Sequence, residues 1–202
     1  MHLKIITAAG LCAALLGGCA SVTPNPVPGT SGGAAIAAYR PNFDTAGRLS
    51  VNYKHNGTPE SLTGKFTWQQ TPTRLDVTLS SPMSTIATIS VTPTSATLVQ
   101  ADKAPRVAPD LDALSREALG WALPVSGLRD WLQGYATAAD GSRFIASSSA
   151  NTVTTRDGWR LRFVSWQNDA AGRPAPKRID AERDGGAGAE ELAIRIVLDG
   201  NG

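Results

Sequence analysis

The sequence is poor in the residues on which much protein chemistry depends. Its 202 residues contain only two histidines and two cysteines. His2 and Cys12 lie within the first 18 residues, so His55 and Cys19 alone remain beyond them. A single histidine excludes histidine-based metal clusters and argues against a Ser–His–Asp triad. A single cysteine excludes a disulfide within the remaining chain.

An excess of charge of one sign is also lacking. The 19 lysines and arginines are nearly balanced by 17 aspartates and glutamates, so no strong field for nucleic acid is expected. The adjacent pair Glu190 and Glu191 would point to opposite faces of a strand. No serine lies in a nucleophile-elbow sequence. We therefore predict that the chain is not an enzyme and does not bind nucleic acid.

The first apolar run, residues 5–16, is too short to cross a bilayer. It follows Lys4 and leads into Leu16-Gly17-Gly18-Cys19, the lipobox pattern of bacterial lipoproteins. An ordinary secretory signal with an accidental cysteine is the alternative. The leucine, the two glycines and the cysteine occupy the positions of the lipobox pattern, which favours lipidation of Cys19 and removal of residues 1–18.

The residue after the cysteine bears on the destination of the protein. Ala20, rather than aspartate, follows Cys19. This resembles the sorting state that lets proteobacterial lipoproteins leave the inner membrane. We therefore expect a lipid-anchored protein on the periplasmic side of the outer membrane.

The segment after the lipobox differs in composition from the rest of the chain. Residues 21–38 are rich in proline, glycine, serine, threonine and alanine and carry no charge. Such a segment cannot bury enough apolar surface to order itself. We predict three parts: a signal peptide (1–18), the lipidated cysteine with a flexible tether (19–38), and a folded domain (39–202).

Beyond Tyr39, apolar and polar residues alternate over short stretches, which predicts an antiparallel meander. Asn56-Gly57 marks a tight turn. Residues 110–119 and a segment capped by Ser126 and ended by Gly134 have helical spacing instead. Strands return after them. The predicted fold is mainly β (α+β): a curved antiparallel half-barrel sheet with short helices on its concave side.

Three stretches resemble the LolB family of outer-membrane lipoprotein receptors: residues 62–70, 75–85 and 120–134. The third is the most specific, because its Gly, Pro, Leu-Arg, Trp and Gly fall at the family's spacing. The resemblance covers nearly all of the chain after Tyr39. It implies an incomplete barrel, closed by helices, that encloses an apolar cavity for acyl chains.

The candidate cavity residues are the inward-facing apolar residues of the predicted strands, together with two tryptophans: Leu49, Val51, Phe66, Trp68, Leu75, Val77, Leu79, Ile89, Val91, Trp121 and Trp131. The pattern alone leaves two interpretations open, a filled core or an open cavity, since any sheet uses such residues to pack on helices. The two tryptophans are equally ambiguous, because they either line the mouth of a cavity or anchor helices to the sheet.

The resemblance also implies a function. The receptor would accept lipoproteins from a soluble periplasmic carrier, bind their acyl chains and insert them into the lipid of the outer membrane. It would act as a monomer, without ATP, metal or another cofactor. The alternative is a structural or assembly lipoprotein of the outer membrane, with a filled core and no lipid transfer.

A second candidate site is the loop that contains Pro82 and Met83. An apolar side chain at a loop tip is unusual. The family carries a hydrophobic residue, usually leucine, at the position of Met83, in a loop that projects towards the membrane. It commonly has glycine where this chain has Ser84. Methionine is apolar and flexible, so the resemblance implies membrane insertion here. A buried turn methionine is the alternative.

Overall fold

The structure, a computed structural model, describes residues 36–55, 57–119, 124–185 and 191–200. All of them belong to one compact unit, Gly32–Gly202. The predictions for Cys19, for the signal peptide 1–18, for most of the tether and for Trp121 lie outside the described residues. None of the described helices is long and apolar enough to cross a membrane.

The described residues form strands and two short helices in this order: β1 (Phe43–His55), β2 (Thr58–Gln70), β3 (Leu75–Ser80), β4 (Thr85–Val91), β5 (Ala96–Gln100), β6 (Arg106–Ala108), α1 (Leu111–Leu119), α2 (Val125–Trp131), β7 (Tyr135–Thr137), β8 (Arg143–Ile145), β9 (Thr152–Thr154), β10 (Arg160–Asn168), β11 (Pro174–Arg183) and β12 (Leu192–Leu198). The mainly β prediction is confirmed. The short strands β6, β7 and β8 were not predicted, because three residues are too few to reveal an alternation.

Ten of these strands form one open antiparallel sheet. Its order is β6-β5-β4-β3-β2-β1-β12-β11-β10-β9, and β7 pairs with β8 separately. The predicted meander accounts for the hairpins between neighbours in sequence. The β1–β12 pair is different, because it joins the two ends of the domain. There Leu49 lies opposite Ile196 and Val51 opposite Ile194, so the apolar residues of both strands share one face.

The helix ends are only partly as predicted. Asp110 caps α1, since the Ala113 N–H donates to its Oδ1 at 2.7 Å. The predicted cap of α2 at Ser126 is wrong. Pro124 occupies the cap position and makes no side-chain hydrogen bond, because its ring carries no acceptor, and Ser126 lies within the helix. The predicted stop is confirmed: Gly134 has a φ of +84°, a conformation that favours glycine.

Packing on the domain begins before Tyr39. Ile36 and Ala37 are buried, although they lie in the predicted tether. The Ala37 N–H donates to the Pro174 carbonyl at 3.1 Å, and the Tyr135 hydroxyl donates to the Ala37 carbonyl at 2.9 Å. A Cβ on Gly134 would lie only 2.9 Å from Ile36 Cδ1. The missing side chain at Gly134 therefore makes room for this docked segment.

A nearly buried carboxylate links three strands on the face opposite the core. Asp180 of β11 accepts hydrogen bonds from Arg178 at 2.7 Å, from Arg195 at 3.3 Å and from Arg162 at 3.4 Å. Burial raises the pKa of the Asp180 carboxyl. The guanidinium groups, Arg178 foremost, outweigh burial and hold this pKa below its usual range.

We expect Asp180→Asn to lower the free energy of unfolding at neutral pH by about 1–2 kcal/mol, because the charged hydrogen bonds are lost while solvent partly screens the arginines. A depressed folded-state pKa contributes stability that is present above the unfolded-state pKa, about 3.9, and is lost as pH falls through the folded value. Urea unfolding of wild type should therefore show an added loss below about pH 4 that the variant lacks. The exposed Asp44→Asn is the control, and equal stability of wild type and Asp180→Asn at pH 7 would contradict the account.

Candidate functional site

An apolar cavity lies between the sheet and the two helices. One wall consists of strand residues from β1, β2, β3, β4 and β12: Leu49, Val51, Phe66, Trp68, Val77, Leu79, Ile89, Ile194 and Ile196. The other wall consists of the helical residues Leu111, Val125 and Leu128 with Leu132, the residue that follows α2. Every lining residue is apolar. The arrangement can therefore hold hydrocarbon and offers no group for acid–base or nucleophilic chemistry.

The cavity is narrow in this conformation. The space open to the centre of a water molecule is about 70 Å³. On this measure one water needs about 10–15 Å³, so only a few would fit. A long acyl chain would not fit without outward movement of the wall. α1 packs on β5 and β6 at one edge of the large sheet, and α2 packs on β7.

The structure brings most of the predicted cavity residues together and leaves three elsewhere. Leu75 is completely buried at the start of β3, where it pairs with the half-buried Val91, and neither lines the cavity. Trp131 packs edge-on against Trp159, with ring centroids 5.7 Å apart. Of the two readings for Trp131, the structure therefore supports the helix anchor.

The ring of Trp68 faces the cavity because its polar edge is satisfied elsewhere. Its Nε1–H donates to Gln70 Oε1 at 3.1 Å. Gln70 Nε2 in turn donates to the Tyr39 hydroxyl at 3.2 Å. A buried indole needs such a partner. This chain of hydrogen bonds keeps polar atoms out of the lining.

Sequence reasoning missed the second half of the lining. Leu128 and Leu132 are four residues apart, as on one face of a helix, and Ile194 and Ile196 flank Arg195 within an apolar strand sequence, so signals for burial were present. What the pattern does not reveal is that β12 pairs with β1. Only this long-range pairing brings the end of the chain beside the first hairpin and into the cavity wall.

The loop between β3 and β4 presents Met83 to solvent. The side chain is 95% exposed, so it is not a buried turn methionine. The Ser81 N–H donates to the Ser84 carbonyl at 2.9 Å, and Ser81 Oγ accepts from the Ser84 N–H at 3.2 Å. Ser84 has no positive φ, so a serine fits at this position without backbone strain. Pro82 is also exposed.

The described residues offer no group of three or more His, Cys, Asp or Glu side chains that could hold a metal ion. The apolar cavity and the exposed Met83 are therefore the features that a functional account must explain.

The family model and the sequence relatives agree on one family. Residues 41–200 match the family described as outer membrane lipoprotein LolB. The outer-membrane lipoprotein LolB of Cupriavidus necator is 40% identical over 92% of this chain and 90% of its own. That of Ralstonia nicotianae is 36% identical over 94% and 93%. A LolA superfamily protein from Nitrosomonas europaea superposes with a TM-score of 0.47 at 10% identity, covering 81% of this chain and 88% of that one.

Proposed function

The chain belongs to the LolB family of outer-membrane lipoproteins, and we propose that it is the receptor that accepts client lipoproteins by binding their acyl chains in the cavity. A soluble periplasmic carrier supplies the clients, and the receptor inserts them into the outer membrane. It acts as a monomer and without a cofactor. The observation that carries the proposal is the wholly apolar lining between sheet and helices.

The energetics favour such a cavity. Each methylene removed from water contributes roughly 0.8 kcal/mol, so an exposed acyl chain is costly. A receptor must offset most of this cost with apolar wall. The present conformation, with its narrow cavity, is the resting state of the receptor. The acyl chains of a client enter as α1 and α2 move away from the sheet. Until then, closure keeps the apolar wall out of water.

Three further parts complete the account of the receptor. The lipid on Cys19 holds the protein at the membrane, since a triacylated cysteine provides more than the two signals that stable anchoring needs. Residues 1–18 are the signal peptide. The tether begins at Cys19, and the folded domain begins at the buried Ile36, three residues before Tyr39, where composition places its start. Met83, with Pro82, is the tip that enters the bilayer when a client is released.

A hydrophobic fluorescent probe tests the proposal against the structural-lipoprotein alternative. The mature chain with Cys19→Ala, which carries no lipid of its own, is titrated with the probe. A diacylated peptide is expected to displace the probe, and the same peptide without acyl groups is not. Absence of probe binding, or displacement by both peptides alike, would favour a filled core and a structural role.

A further inference from the structure

Two basic side chains lie beside the base of the Met83 loop. Arg48 of β1 is directly opposite Lys65 of β2, and Lys65 is opposite Ser80, the last residue of β3 before the loop. Both side chains are exposed, on the face of the sheet opposite the cavity. Like charges directly opposite each other destabilise a sheet. The stability of the fold therefore does not explain why two basic residues face each other here, whereas a binding role does.

The pair differs from other basic residues of the same sheet. Several of those lie within salt-bridge distance of a carboxylate: Lys54 with Glu191, Arg160 with Glu182 and Asp184, and Arg162, Arg178 and Arg195 with Asp180. Within the described part of the chain, the side chains of Arg48 and Lys65 have neither an ion pair nor a hydrogen bond. Their charges remain available to an external anion.

The position of the pair indicates which anion. Neighbouring strands lie about 4.8 Å apart, so the two backbones are roughly 5 and 10 Å from Ser80. Long, flexible side chains at that distance reach a surface that the Met83 tip has entered. A carrier protein that delivers acyl chains must instead approach the cavity, which lies on the other face of the sheet. A lipid surface at the loop therefore fits better than an acidic protein.

We propose that Arg48 and Lys65 form a basic flank that binds anionic phospholipid headgroups while Met83 enters the bilayer. The inference rests on the proposed function, because it takes the Met83 loop to be the membrane contact. An apolar tip and adjacent basic residues supply two separate attractions, and both are needed where a single one gives only marginal binding. The flank favours delivery to membranes with a negative surface.

Vesicle binding without any client tests the flank. The mature Cys19→Ala chain and its Arg48→Gln/Lys65→Gln variant are sedimented with vesicles of phosphatidylcholine, alone or mixed with phosphatidylglycerol. The double variant is expected to bind the anionic vesicles about thirtyfold less and the neutral vesicles equally well. The matched control is Arg156→Gln/Lys177→Gln, which removes one arginine charge from the turn between β9 and β10 and one lysine charge from β11, away from the Met83 loop.

Every other outcome contradicts the proposal that Arg48 and Lys65 bind headgroups. Unchanged binding of the double variant, a loss equal to that of the control, or an equal loss on both vesicle types would each show that no headgroup charge is recognised at Arg48 and Lys65. Reduced capture of client from the carrier, with vesicle binding intact, would assign the pair to a protein partner. Met83→Glu, run in parallel, separates the two failures: if it binds both vesicles like wild type, the loop is not the membrane contact.

Discussion

Met83→Glu is expected to leave the domain folded and to reduce delivery of lipoproteins into membranes about a hundredfold. The substitution removes the apolar side chain that enters the bilayer and places a charge there, and both changes oppose insertion. Folding is unaffected, because the Met83 side chain is 95% exposed and the loop is closed by hydrogen bonds of Ser81. The measurement is transfer of a labelled lipoprotein from the carrier to vesicles.

The controls distinguish insertion from acyl-chain binding. Met83→Leu keeps an apolar side chain of similar volume at the tip and should deliver normally. Met83→Glu should still bind acyl chains, since the cavity is lined by other residues. Delivery at the wild-type rate by a folded Met83→Glu protein would disprove the role of the loop.

The second large effect is expected from filling the cavity. Ile89→Trp puts a bulky ring into the lining at β4. If it excludes three methylenes of an acyl chain, the loss of roughly 0.8 kcal/mol for each weakens binding about fiftyfold. Overpacking should cost about 1–3 kcal/mol of stability, which leaves the domain folded at room temperature. Displacement of the fluorescent probe by a diacylated peptide measures the change.

The matched variant is Thr88→Trp, one residue earlier on the same strand. Because successive side chains of a strand point to opposite faces, this ring lies away from the cavity. Its affinity for the acylated peptide should equal that of wild type. Equal affinities of Ile89→Trp and Thr88→Trp would show that acyl chains bind elsewhere.

Much of the fold could be predicted from the sequence because its signals are local. Alternation in β1 to β5 fixes which residues face inward, and the turn chemistry of Gly134 ends the second helix as expected. The predicted start of that helix is wrong. Ser126 and Pro124 are both plausible cap residues in the sequence, and only the structure decides between them. The docking of Ile36 could not be foreseen, because it depends on space that distant residues leave open.

The candidate site was harder to predict than the fold. Inward-facing residues look alike whether they fill a core or line a cavity, and their sequence spacing is the same in both cases. Leu75 and Leu79 lie on the same face of β3, yet Leu79 lines the cavity and Leu75 is buried beyond it. The difference arises from where the helices pack on the sheet. That placement depends on long-range contacts which no local pattern encodes.

The lipid on Cys19 and the cavity are expected to have separate roles. The anchor determines where delivery takes place, whereas the cavity and Met83 carry it out. A mature chain with Cys19→Ala should therefore still accept clients, although it is no longer held at the membrane.

This expectation makes direct transfer the decisive measurement. Carrier loaded with a labelled lipoprotein is mixed with the mature Cys19→Ala chain, which is then pulled down. The account predicts that the labelled lipoprotein moves to the Cys19→Ala chain, and that Ile89→Trp captures far less than Thr88→Trp. If the lipoprotein stays on the carrier, or both variants capture it equally, the cavity is not the site that accepts acyl chains.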